Sequence, residues 1–361
     1  MMPKLKFDSI SCSLELENVC KSLLSHKAPV IQSFTLRGRL DGRNNAVDAG
    51  ILIGIAMTRN MRKLVLEEYF RQGLFTFPRS LYNCETLETL TLLINVILDV
   101  PSSVYLKSLR TLHLLQVVDF KGDESFLNLL PGCPNLQDLV VHRHPRSSVK
   151  TFTIAMPSLQ RLSIDTPIPR IHHWSYVINT PLKYLKIEGF KALGSCLIEN
   201  MPELVEAYII DVPKTITEKV MVYVISVKRL SLALLPLKFK LPTGSIFYKL
   251  VYLELCTENE AWWDILSLML HRSPKLQVLK LIDYMCWINS LEASGVWNEP
   301  KNVPECLLSH LETFMWKGYK WKREEEREAA KCILKSTNRL KRATFSSKCI
   351  SYEDRLMWLK I

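Results

Sequence analysis

Glycine is scarce in this chain, 12 residues in 361, and no glycine-rich run of the kind that cradles a phosphate occurs. That argues against the nucleotide-binding folds built on such loops. No serine or cysteine sits in a recognisable nucleophile elbow. Ten cysteines are present, but none are spaced Cys-x-x-Cys, and Cys196, Cys256 and Cys332 stand singly inside apolar phrases. Such usage fits free, mostly buried thiols in a reducing compartment. The longest apolar run, residues 90–100, is broken by Asn95 and Asp99 and is too short to span a bilayer. Residues 1–8 carry no apolar signal core. The expectation is a soluble cytoplasmic or nuclear protein with no cofactor, no metal and no membrane partner.

Charge of one sign is never concentrated. The net charge of +11 would suit an acidic partner, RNA or a membrane surface, but the basic residues are scattered. The reading favours a solvated mixed surface over a nucleic-acid footprint. The run 320–328 has opposite charges three and four apart, the pattern of a solvated helix face. His142, His144, His172 and His173 fall near equivalent points of two neighbouring phrases, but their spacing fits no zinc signature.

What is abundant is one phrase: apolar, two variable residues, apolar, one variable, apolar. It stands as Leu-Gln-Asp-Leu-Val-Val at 136–141, Leu-Gln-Arg-Leu-Ser-Ile at 159–164 and Leu-Lys-Tyr-Leu-Lys-Ile at 182–187. The starts are 23 residues apart, and a fixed period near that length marks a leucine-rich repeat. Further starts lie at Ile31, Met61, Leu87, Leu109, Leu204, Val227, Leu250, Leu276, Leu311 and Leu340. A single unit cannot bury its apolar face, so the units must stack. The fold class expected is α/β, a leucine-rich-repeat solenoid with a curved parallel sheet and with helices and irregular segments on its convex side. A C-terminal β-α-β unit caps it.

Between phrases, the apolar spacing predicts helices over 15–25, 123–130, 260–271 and 324–336. Residues 145–156 are too short or too β-branched for a helix and are expected to carry an extended segment or a single turn. Residues 353–359 read as a last helical turn. Pro134, Pro157, Pro181, Pro202 and Pro274 turn the chain into the next strand. Trp262 and Trp263 are adjacent, so one is expected in the core and the other outside as an anchor.

The domain reading is an N-terminal strand and helix cap over 1–30, repeats over 31–290, a boundary loop over 291–302 and a final unit over 303–361. Within each phrase the second and third apolar residues face the core. The variable residues flanking the second point the other way. Stacked, these form a ladder on the concave face, and the residues selected as protein-binding are His113, Arg161, Ser163, Tyr184, Lys186, Tyr208, Arg229, Tyr252 and Lys280. The competing reading is a set of solvated strand positions with good β propensity.

Two stretches resemble a known family. Residues 22–29 (Ser-Leu-Leu-Ser-His-Lys-Ala-Pro) and 30–36 (Val-Ile-Gln-Ser-Phe-Thr-Leu) resemble the opening of the repeats in plant F-box proteins with leucine-rich repeats and an FBD domain. Residues 303–308 (Val-Pro-Glu-Cys-Leu-Leu), 311–314, Trp316, Gly318, Tyr319 and 324–326 resemble the start of that FBD domain. The phrase Leu-Pro-Gly-Cys-Pro-Asn-Leu at 130–136 is similar to the family's repeats. The resemblance implies the target-holding part of a Skp–cullin–F-box ubiquitin ligase. Roughly twenty residues precede Ser22, against the forty to fifty a helical F-box needs. The chain ends at Ile361, where family members run on to another strand. The expectation is therefore a non-catalytic protein-interaction solenoid without an F-box, binding an unidentified protein but no Skp-type adaptor. The alternatives are a working ligase subunit acting through another chain and an RNA-binding repeat protein.

Overall fold

Each of the thirteen phrases forms a strand, because its alternation leaves one apolar side that only a neighbouring unit can cover. The computed structural model describes residues 3–13, 16–40, 45–70, 75–76, 78–93, 96–121, 123–143, 149–166, 174–189, 193–212, 214–233, 244–256, 262–283, 297, 302–321 and 323–348. In chain order the strands begin with β1 (Lys4–Ser13), β2 (Ser33–Leu40), β3 (Lys63–Phe70), β4 (Phe75–Thr76), β5 (Thr89–Leu93), β6 (Val96–Leu98) and β7 (Thr111–Phe120). Next come β8 (Asp138–Arg143), β9 (Thr151–Ile154), β10 (Arg161–Asp165), β11 (Trp174–Asn179), β12 (Tyr184–Glu188) and β13 (Leu193–Glu199). The last are β14 (Glu206–Ile210), β15 (Arg229–Ala233), β16 (Tyr252–Cys256), β17 (Val278–Ile282), β18 (Thr313–Lys317) and β19 (Arg342–Ser346). The α-helices are α1 (Leu16–Ser25), α2 (Asn45–Met57), α3 (Asp123–Leu129), α4 (Lys214–Val224), α5 (Trp262–Arg272), α6 (Glu305–Ser309) and α7 (Glu324–Ser336).

The chain divides into two units, one of residues 1–182 and 189–202, the other of 183–188 and 203–361. In the first, β1, β2, β3, β5, β7, β8 and β10 form a parallel sheet in that order. The register sets Phe34, Leu64, Leu90, Leu112, Leu139 and Leu162 in one buried row, and Leu36, Leu66, Leu92, Leu114, Val141 and Ile164 in a second. In the second unit, β12, β14, β15, β16, β17, β18 and β19 are parallel in that order. Its buried rows are Leu185, Ala207, Leu230, Leu253, Leu279 and Phe314, then Ile187, Ile209, Leu232, Leu255, Leu281 and Trp316. Each fully buried Leu or Ile side chain is worth about 1.5–3 kcal/mol. The architecture is an α/β leucine-rich-repeat solenoid with open parallel sheets.

The prolines act through a defined turn. Leu136 N–H donates to Cys133 O, Leu159 N–H to Met156 O and Leu276 N–H to Ser273 O. Pro134, Pro157 and Pro274 each occupy the second position of these four-residue turns, where a fixed φ near −65° is favoured. The same bond without proline precedes three more phrases, at Leu109, Val227 and Leu250.

The four helices marked by spacing appear as α1, α3, α5 and α7. Three more connections are also helical, in α2, α4 and the short α6. The face of α4 is Ile216, Val220, Met221 and Val224, all buried. The extended segment expected over 145–156 contains β9, and it does more than run straight. It pairs with β11, which pairs with β13, so three successive connections build a second parallel sheet in the first unit. Phe120, Phe126, Phe152 and Tyr176 pack ring to ring at 4.1–5.8 Å, with the buried Arg143 guanidinium 4.4 Å from the Phe152 centroid.

One expectation is corrected. Trp262 and Trp263 are both buried, with rings stacked 3.6 Å apart, and both reach Trp316. Adjacent helical residues diverge at Cβ, but two indoles are long enough to turn back onto each other; neither is an exposed anchor. The expected helical turn at 353–359 and the histidines His144, His172 and His173 lie outside the described residues. So does most of the loop over 291–302.

Candidate functional site

The side chains turned away from the core form registered rows, and the two units carry different chemistry there. In the first unit the expected residues are His113, Arg161 and Ser163. Asp138 lies between His113 and Arg161, its Oδ2 3.9 Å from His113 Nε2 and 3.8 Å from Arg161 Nε. Ser163 is half-buried beside Val140. One row further along, His142 Nδ1 meets Asp165 Oδ2 at 2.8 Å. Arg37 bridges Asp8 and Glu67 on the neighbouring strands.

In the second unit the remaining six expected residues come together. The first row runs Tyr184, Glu206, Arg229, Tyr252, Val278, and the second Lys186, Tyr208, Ser231, Glu254, Lys280. Tyr184 and Tyr208 pack with ring centroids 5.4 Å apart. The Arg229 guanidinium lies 4.0 Å over the Tyr252 ring, a contact worth about 0.5–1 kcal/mol when exposed.

Two carboxylates that the selection omitted organise this patch. Glu206 Oε1 accepts from Tyr208 OH at 2.6 Å and from Arg229 Nε at 3.2 Å. Glu254 accepts from Tyr252 OH at 3.0 Å, from Ser231 Oγ at 3.1 Å and from Lys280 Nζ at 2.7 Å. Burial, reinforced by Glu206, pushes the Tyr208 phenol above its ordinary range; burial and Glu254 do the same for Tyr252. Both phenols therefore stay protonated and act as donors. The sequence signal was present, since Glu206 and Glu254 occupy the same variable positions as their neighbours.

Exposure departs from the alternation rule. Lys186 and Lys280, expected on an open ladder, are 5 % exposed, and Ser231 and Glu254 are as deeply covered. Alternation fixes which face a side chain takes, not how much water reaches it. The charges of this row survive burial because they are paired: Lys280 with Glu254, and Lys186 with Glu188 at 3.1 Å. Solvent meets Arg229 and the edges of the three tyrosines instead.

At the entry to these strands, one residue before the first row, Lys183, Val205 and Lys228 are exposed and Val251 is half-buried. They are registered by backbone bonds from Val205 N to Lys183 O, Lys228 N to Val205 O and Val251 N to Lys228 O.

At the C-terminal end, β18, α7 and β19 form a β-α-β unit with parallel strands. Gly318 takes φ +78° after β18, and Glu326 of α7 reaches back to accept from Lys320 N–H at 2.7 Å. Desolvation holds the Glu326 carboxyl above its ordinary range. Among the described residues no cluster of three or more His, Cys, Asp or Glu could hold a metal ion, and no helix is long and apolar enough to cross a membrane.

Family models match in two places: the FBD model over residues 299–345, and the leucine-rich repeats of the FBD-associated F-box protein At5g56370 over 52–172. The putative FBD-associated F-box protein At1g55030 of Arabidopsis thaliana is 66 % identical over 358 residues, covering 99 % of this chain and 84 % of the relative. The putative F-box/FBD/LRR-repeat protein At4g13965 of the same plant is 56 % identical over 100 % of this chain and 84 % of its own length. For the F-box/FBD/LRR-repeat protein At3g52680, also from Arabidopsis thaliana, the figures are 50 %, 98 % and 78 %. No solved structure matches the chain. The repeats, the C-terminal β-α-β unit and this near end-to-end identity lead to one conclusion: the chain belongs to the F-box/FBD/LRR-repeat protein family.

Proposed function

We propose that this chain is a non-catalytic recognition solenoid of the cytoplasm or nucleus. It holds a protein target on the sheet face turned away from the core, as the target-holding part of a ubiquitin-ligase receptor. The family membership supports the ligase context, and the FBD match supports reading 303–361 as a unit closing the repeats over 31–290.

The observation carrying the reading is the Tyr184–Tyr208–Arg229–Tyr252 patch. Tyr and Arg dominate binding hot spots, and here Glu206 holds Tyr208 and Arg229 while Glu254 holds Tyr252. Side chains already fixed lose little entropy when a partner arrives.

The test is affinity capture from plant extract with three forms of the tagged chain: unchanged, Tyr208→Ala/Arg229→Ala, and Val222→Ala on the exposed side of α4. A partner retained by the first and third but lost with the double variant is the expected result. Capture that survives the double variant sinks the reading.

A further inference from the structure

We infer that the segment bound on the second unit's face is an acidic polypeptide, with carboxylates about 10 Å apart that meet Lys183 and Lys228. This rests on the recognition reading above and names the chemistry of its partner.

Each acid in these rows already has a cation: Glu188 has Lys186, Glu206 has Arg229 and Glu254 has Lys280. No described carboxylate pairs with Lys183 or Lys228, and both are exposed on the rim beside the tyrosines. Over β12 to β17 these pairs therefore balance one another, and Lys183 and Lys228 stand beside them as two exposed ammonium groups. Their strands are two apart in the sheet, which sets them roughly 10 Å from each other.

Valines adjoin the two lysines on the rim. Val205 stands between them, 39 % exposed, and Val251 follows Lys228. A rim alternating Lys, Val, Lys, Val suits a chain that alternates acids with apolar side chains. It does not suit a uniform polyanion.

Nucleic acid fits this face poorly. Base stacking needs a free aromatic face. Arg229 takes one face of Tyr252, and Tyr184 and Tyr208 pack against each other, so each ring has at most one face left for a base. These rings offer edges and apolar flanks, which fit side chains better than bases.

Fluorescence anisotropy tests the inference with three labelled probes: a peptide of repeated Glu-Thr-Val, the same peptide with Gln for Glu, and a uridylate RNA of equal length. The Glu peptide is expected to bind, and at least about tenfold more tightly than the Gln peptide. Its binding should weaken as salt is raised and be lost in Lys183→Glu/Lys228→Glu. Both substitutions are on exposed rim positions, and circular dichroism checks that the fold survives. No Glu-peptide binding below about 1 mM, equal binding of the Gln peptide, undiminished binding by the charge-reversed chain, or tighter binding of the RNA would each overturn it. The two readings fail separately. If capture from extract is lost in Tyr208→Ala/Arg229→Ala but kept in Lys183→Glu/Lys228→Glu, the recognition face stands and the acidic partner falls.

Discussion

Removing Glu254 alone should damage this protein far more than removing Glu254 and Lys280 together. Their side chains are 3 % and 6 % exposed and 2.7 Å apart. In Glu254→Ala the Lys280 ammonium loses its carboxylate while buried, a change that costs about 3–5 kcal/mol. Ser231 and Tyr252 lose an acceptor as well, worth about 1 kcal/mol each before relaxation. Replacing both charges, as Glu254→Leu/Lys280→Met, leaves neither ion stranded and should fall within about 1–2 kcal/mol of the unchanged chain. Lys280→Met should be intermediate, because Ser231 and Tyr252 still donate to Glu254. With Glu254→Leu as the matching single variant, the coupling energy from the double-mutant cycle is then at least about 3 kcal/mol. Repeat proteins unfold through neighbour contacts, so a global melt averages the effect. Hydrogen exchange read on peptides covering β15 to β17 localises it. A single Glu254→Ala cost below about 1 kcal/mol, or a double variant as costly as the two singles added, would refute the claim that this ion pair is buried and mutually dependent.

Three further outcomes are expected. Gly318→Ala forces a side chain into φ +78° with its Cβ 2.6 Å from Asp283 Cβ, so it should destabilise by about 2–4 kcal/mol in thermal melts. Gly50→Ala in α2, where nothing lies within 4 Å, should instead stabilise by about 0.5–1 kcal/mol; the same sign at both sites would contradict the turn argument. Because Glu326 is raised in the folded state, its stabilising contribution is present below the unfolded value of 4.5 and is lost as pH rises through the folded value. Glu326→Gln should flatten that fall in denaturant titrations just above pH 4.5, and an unchanged slope counts against it. Burial pushes the Cys133 and Cys306 thiols up to about 12. Iodoacetamide at pH 8 should spare them while the half-buried Cys20 and Cys332 react; equal labelling by mass spectrometry would show that the core opens.

The sheet was legible because every phrase states its own inward residues: Leu162 and Ile164 sit where the pattern put them, as do Leu279 and Leu281. The β9–β11–β13 sheet was not, because its strands pair between connections, and a short β-branched run such as 151–154 does not name its partner. Period-two reasoning assigned Lys186 and Lys280 to the correct face, yet alternation carries no information on how deeply they are buried. It also passed over Lys183 and Lys228, since the second position of the phrase falls at the turn into the strand, where alternation has not begun.

Glu206 and Glu254 sit on β14 and β16, and the cations they hold, Arg229 and Lys280, sit on β15 and β17. Sign therefore alternates from strand to strand over β14 to β17. A duplication of one repeat in this region would set two like charges directly opposite each other, which is destabilising. A duplication of two would preserve the alternation. Growth or loss of this part of the array is thus tolerated in pairs of repeats, and a change of specificity at one strand calls for a matching change on the next.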